Sequence, residues 1–134
     1  MDMDCIFCRI ANKQLPSYTV YEDDTTLAFL DIFPFVKGHT LVIPKKHFRW
    51  VWDMQSEDYH HLMVSVKKVA GLLKKSFQTD YVQILVMGQQ ISHAHVHLLP
   101  RTKEDGLPEM VNSPIATLSK EEMLSIQNRI RNSS

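Results

Sequence analysis

The segment His93-Ala94-His95-Val96-His97-Leu98-Leu99-Pro100 places three imidazoles at every second position. Side chains alternate between the faces of an extended strand. A strand over Ser92–Leu99 is therefore predicted to put His93, His95 and His97 on one side, and Ala94, Val96 and Leu98 on the other, against a core. Same-face neighbours in such a strand sit roughly 6.5–7 Å apart. Imidazoles add little to core packing. They do supply nucleophilic nitrogens, proton donors and metal ligands, all adjustable near neutral pH. The bland reading is a solvent-facing polar stripe in a chain with seven histidines. Strict alternation among small and apolar residues argues against it.

A second group opens the chain. Its two cysteines are three positions apart, in Cys5-Ile6-Phe7-Cys8. The start, Met1-Asp2-Met3-Asp4, is acidic and precedes no long apolar run, so it does not read as a secretory signal and the chain is read as cytoplasmic. In that setting a Cys-x-x-Cys pair points to metal binding or redox chemistry rather than to a structural disulfide. Two buried thiols are the plainer alternative. A structural tetrahedral site would need two further ligands.

The elements that must hold these groups are legible as periodicity. Cys5–Asn12 is expected to form a short helix or turn, Thr19–Glu22 a strand, Thr26–Ile32 a second strand and His39–Ile43 a third, opened by Gly38. In the second strand, Leu27, Phe29 and Asp31 should face one way and Ala28, Leu30 and Ile32 the other. Ser56–Phe77 carries apolar residues every three or four positions, with Ser56 placed to cap it, and reads as a long helix. His60 and His61 fall in its first turns as surface or packing residues. Tyr81–Met87 is the fourth strand, and Gly88-Gln89-Gln90 connects it to the histidine strand. Ser119-Lys120-Glu121-Glu122 fits a capping box for a final helix. Short loops between successive strands favour antiparallel pairing. The class is α+β.

Length and charge narrow the function. A chain of 134 residues suits one domain, expected over 1–134 with its motif-bearing core at about 5–101 and a tail over 102–134. Fifteen basic residues balance fifteen acidic ones. This makes the chain a poor candidate for non-specific nucleic-acid binding, which depends on neutralising phosphates. No apolar stretch approaches the roughly 20 residues that a membrane span needs.

His-Ala-His-Val-His-Leu-Leu resembles the motif of the histidine-triad (HIT) family of nucleotide hydrolases and transferases, in its Hint-like branch. Cys5-Ile6-Phe7-Cys8-Arg9-Ile10, Ala28-Phe29-Leu30-Asp31-Ile32 with Pro34, Gly38-His39-Thr40-Leu41-Val42-Ile43-Pro44-Lys45-Lys46-His47, and Gly88-Gln89 resemble further segments of that family in matching order. The resemblance implies a HIT-like fold: a five-stranded antiparallel sheet, a long helix and shorter terminal helices. It implies a nucleotidyl hydrolase acting on nucleoside phosphoramidates, acyl-adenylates or dinucleoside polyphosphates. His95 would be the nucleophile, His93 would orient it through its backbone carbonyl, and His97 would assist the leaving group. His39 would support the three, and Gln89 would contact phosphate. Asp31 would bind the ribose hydroxyls, or else form a turn with Pro34. Phe7, Ile10, Leu15, Phe29 and Ile32 would form a nucleobase slot, or else plain core. Zinc-bearing members imply ligands Cys5, Cys8, His47 and His93. Four protein ligands make such a zinc structural. A homodimer is also implied.

The chain departs from many relatives in a shortened loop before Gly88 and in Gln90, where the Hint-like branch often carries a phosphate-contacting serine. A zinc-stabilised nucleotide-binding module with little turnover, and a hydrolase with an open metal site among the three histidines, are the competing readings. Trp50 and Trp52 have no assigned role.

Overall fold

The computed structural model describes residues 4–111, 113–115 and 117–133. The elements run α1 (Ile6–Ala11), β1 (Thr19–Glu22), β2 (Thr26–Leu30), β3 (Thr40–Pro44), a short 3-10 turn (Val51–Asp53), α2 (Ser56–Phe77), β4 (Tyr81–Leu85), β5 (Val96–Arg101) and α3 (Lys120–Arg131). The five strands form one antiparallel sheet in the order β1-β2-β3-β5-β4. The expected class and strand count are borne out. The acidic Met1-Asp2-Met3 lies outside the described residues. No helix among the described residues is long and apolar enough to cross a membrane.

Register assigns every side chain to one of two faces. Ala28 opposes Val42, and Val42 opposes Val96. Together with Leu30 and Leu98 these residues pack against Leu62, Val66, Val69 and Leu73 of α2. The alternate positions Leu27, Phe29, Leu41 and Ile43 face the other way, onto Phe7, Cys8 and Ile10 of α1. Phe29 opposes Leu41, and Leu41 opposes His97. His97 is thereby on the α1 face. The short N-terminal helix, not the long one, walls the histidines.

Several element ends differ from expectation. β2 stops at Leu30 rather than Ile32, because Asp31 accepts the Phe33 N–H at 2.8 Å and turns the chain before Pro34. β4 stops at Leu85 rather than Met87, ahead of Gly88 at φ +77°. β5 starts late, at Val96, and runs on to Arg101. Beyond Leu98 its neighbour is β4 alone, so Pro100, lacking an N–H, is accommodated there. Ser56 is the first residue of α2 and not its cap. Gln55 holds the cap position, without a side-chain hydrogen bond. The capping box of α3 is present: Ser119 accepts from the Glu122 N–H, and the Glu122 carboxylate accepts from the Ser119 N–H.

Gly38 leads the chain into β3 at φ +88°. A Cβ there would lie 2.7 Å from the Phe77 ring, so both the backbone conformation and the packing require glycine directly before His39. At the far end of β5, buried Arg101 binds the Asp105 carboxylate at 2.6 Å, Gln83 at 2.9 Å and the Pro108 carbonyl at 2.9 Å. These bonds fold the segment after β5 back along the sheet.

Candidate active site and metal centre

His93 and His95 precede β5, and His97 is its second residue, so the expected three-histidine strand is corrected. Two bonds take the first two out of the ladder. His95 Nδ1 lies 2.7 Å from the His93 carbonyl, curling the backbone. The Ala94 N–H donates to the Phe48 carbonyl at 2.7 Å, tying the segment to the chain after β3. The three rings still crowd one side. Phe7 meets both His93 and His95 edge-on, at centroid distances of 5.9 and 5.2 Å. His95 and His97 are 4.9 Å apart, closer than strand alternation alone would place them.

The partners of each ring determine where its proton sits. A carbonyl only accepts, so His95 must carry its hydrogen on Nδ1 and leave Nε2 with a free lone pair. His93 Nε2 lies 2.8 Å from the Pro44 carbonyl, so its hydrogen is on Nε2 and its lone pair on Nδ1. The Phe35 N–H donates to His39 Nδ1 at 3.0 Å, which places the His39 hydrogen on Nε2. That hydrogen points at His97 Nδ1, 2.9 Å away, and the His97 hydrogen is then on Nε2. Each assignment needs a neutral ring. Burial supplies it: His93 and His97 are pushed down to about 4, and His39 to about 3. The same desolvation lowers His95; the bond to the His93 carbonyl works against it, and the charge of Arg49 adds to it.

Asp31 lies just past β2, with its carboxylate 3.7 Å from His39 Nε2. Burial raises its pKa, and the Phe33 N–H works against that rise. Phe7, Ile10 and Phe29 are buried in one cluster with Leu27, Leu41 and Ile43, and Leu15 packs on its edge. Ile32 is exposed, as is Gln89. His60 and His61 are exposed on α2 and meet each other, with ring centroids 6.2 Å apart. The bonds that set the proton positions come largely from main-chain atoms of Phe35, Pro44 and His93. Sequence reasoning missed the first two, because a backbone atom carries no residue signature. Arg49 and the Phe48 carbonyl were missed as well. The only signal for Arg49 was an arginine beside Trp50 shortly after His47.

The four expected ligands converge. Cys5 Sγ and Cys8 Sγ lie 3.3 and 3.4 Å from His93 Nδ1, and Cys8 Sγ lies 3.2 Å from His47 Nδ1. All four ligand atoms fall within 4.8 Å of one another. In a tetrahedral site with ordinary zinc–sulfur and zinc–nitrogen bonds, sulfur and nitrogen are about 3.5 Å apart. The donor set therefore fits such an ion. The Pro44 carbonyl orients His93 from outside, which leaves Nδ1 free to ligate. Cys5 Sγ also accepts the Cys8 N–H at 3.3 Å, capping α1.

A family model for the HIT domain matches residues 12–104. The chain belongs to the HIT family. The cysteine pair precedes the matched range. The chain is 46% identical over 110 residues to an uncharacterized HIT-like protein of Borreliella burgdorferi, covering 77% of this chain and 79% of that one. It is 34% identical over 134 residues to an adenosine 5'-monophosphoramidase of Schizosaccharomyces pombe, covering 96% of each. The crystal structure of a Zn-bound histidine triad family protein from Mycobacterium smegmatis superposes with a TM-score of 0.82 at 28% identity, covering 98% of this chain and 93% of that chain.

Neutral, buried histidines in this HIT-family site make stability depend on pH. An unfolded histidine titrates near 6.5, whereas His97 stays neutral down to about 4 and His39 to about 3. Below 6.5 the unfolded chain binds more protons than the folded one. Stability is therefore full above that value and falls with decreasing pH, by up to roughly 1.4 kcal/mol per pH unit for each ring. Urea unfolding midpoints at pH 7.5, 6 and 5 should decline in that order. A flat series would contradict the neutral-ring assignment.

Proposed function

We propose that this protein is a nucleotide hydrolase acting through a covalent nucleotidyl-His95 intermediate and releasing a nucleoside monophosphate. The observation that carries this reading is the free Nε2 lone pair of His95, fixed by the bond from Nδ1 to the His93 carbonyl. That nitrogen attacks the α-phosphorus, and the bond from phosphorus to the leaving group breaks. The His97 Nε2–H beside it donates a hydrogen bond to the scissile phosphate or the departing atom, offsetting its growing negative charge. The departing group takes a proton from water; a second water then attacks the phosphorus and gives up a proton to solvent as the nitrogen–phosphorus bond returns its electron pair to His95.

His39 acts through His97 as a positioning residue. Asp31 takes the ribose hydroxyls, and Phe7, Ile10, Leu15, Phe29 and Ile32 hold the base. Gln89 meets the phosphate. The resemblance of the chain to a relative named for adenosine 5'-monophosphoramidase activity favours nucleoside phosphoramidates among the substrates. Acyl-adenylates and dinucleoside polyphosphates present the same α-phosphorus. A homodimer belongs to the same reading, supported by exposed Tyr81, Ile84, Val86 and Met87 along and just beyond the edge strand β4.

We further propose that Cys5, Cys8, His47 and His93 hold a structural zinc. When bound, it would join α1 to the chain just before His95 and leave no open position for a substrate. The three-histidine metal site loses its support, because the His93 lone pair points at the cysteines while that of His97 accepts from His39.

Brief incubation of the protein with adenosine 5'-phosphoramidate, followed by mass spectrometry, should find a nucleotidyl adduct on His95. His95→Ala should lose turnover by at least about a thousandfold, the scale of removing a catalytic nucleophile, while keeping its circular dichroism spectrum. Nucleotide binding without adduct or turnover would instead mark a binding module. The double variant Cys5→Ser/Cys8→Ser should lose stoichiometric zinc by elemental analysis and melt at a lower temperature. Retention of one zinc per chain would refute the ligand set.

A further inference from the structure

Arg49 is half-buried, and its guanidinium carbon lies 3.5 Å from the Trp50 ring centroid. Trp50 in turn stacks on Trp52, with centroids 4.8 Å apart and planes within 9°. Arg49 Nη1 donates to the Gly88 carbonyl at 2.7 Å. Gly88 is itself shaped by this stack. It sits at φ +77°, and a Cβ there would lie 3.0 Å from the Trp50 ring. The stack thus clamps the turn at Gly88 from outside.

The backbone just before this arginine is tied to the histidine segment. The residue before it, Phe48, accepts the N–H of Ala94, between His93 and His95. Among the described residues Arg49 has no carboxylate within ion-pair distance. A guanidinium has five N–H donors, and the Gly88 carbonyl accounts for one nitrogen. A cation braced by an aromatic face, bonded to the Gly88 turn, lacking an acidic partner and following a residue bonded to the histidine segment, is suited to an anion.

We propose that Arg49 is a phosphate-contacting residue of this site, held by Trp50 and the Gly88 carbonyl so that its remaining N–H groups meet the phosphate of a bound nucleotide. This rests on the nucleotide reading above but not on turnover. Arg49 then selects for the charged phosphate, while base and ribose are recognised elsewhere. The aromatic clamp limits the conformations that the arginine must give up on binding.

Calorimetric titration of the wild type, Arg49→Gln and Arg49→Lys with adenosine 5'-monophosphate and with adenosine tests this. Arg49→Gln should weaken the monophosphate roughly ten- to hundredfold, the range for a hydrogen bond to a charged group, and leave adenosine unchanged. Arg49→Lys should recover part of the loss, since it keeps the charge but not the fork. Equal weakening of both ligands would reduce Arg49 to a brace for the turn and overturn the proposal. So would an unchanged monophosphate affinity. A wild type that binds the monophosphate no better than adenosine overturns the phosphate contact alone. A wild type that binds neither refutes the nucleotide reading, and the proposal with it.

Discussion

The site depends on where three imidazole protons are held. Each neutral ring has one N–H and one lone pair, and a neighbouring group that can only accept or only donate decides which nitrogen has which. Here the Pro44 carbonyl, the His93 carbonyl and the Phe35 N–H, the last acting through His39, make those decisions. Three chemically identical side chains become three different tools. One turns its lone pair to sulfur-bearing neighbours, one keeps a lone pair on Nε2 and one carries its N–H there.

The sheet makes these bonds possible. Pro44 ends β3, and His39 sits directly before that strand, so the two ends of β3 reach different histidines. Gly38 lets the chain turn sharply enough to bring His39 under His97. On the same face, α1 supplies Phe7 as an edge-on wall, and Cys8, with Cys5 at its cap, reaches His93. Burial and proton placement reinforce each other. The apolar cluster keeps the rings neutral, and only neutral rings leave His39 and His97 able to accept at Nδ1.

Much of this was legible in the sequence. Period two revealed the strands, period three to four revealed α2, and the Ser119 capping box announced α3. Cys-x-x-Cys and the histidine alternation marked the two reactive clusters, and family resemblance brought in His39 and His47. The strand was expected to run through all three histidines, but the His95–His93 and Ala94–Phe48 bonds unpair its first part. Ser56 was expected to cap α2, but the helix starts on it. Arg49 carries no motif, and its significance lies in Gly88 and Trp50, distant or uninformative in the linear order. Main-chain partners and tertiary neighbours decided the strand start and Arg49; nothing in the structure explains the shifted start of α2.

The central claim is the proton position on His95 and His97. Long-range proton–nitrogen correlation spectra of the 15N-labelled protein at neutral pH report it ring by ring. The account requires His95 protonated on Nδ1 with a bare Nε2, and His97 protonated on Nε2. An Nε2-protonated or doubly protonated His95 would contradict it.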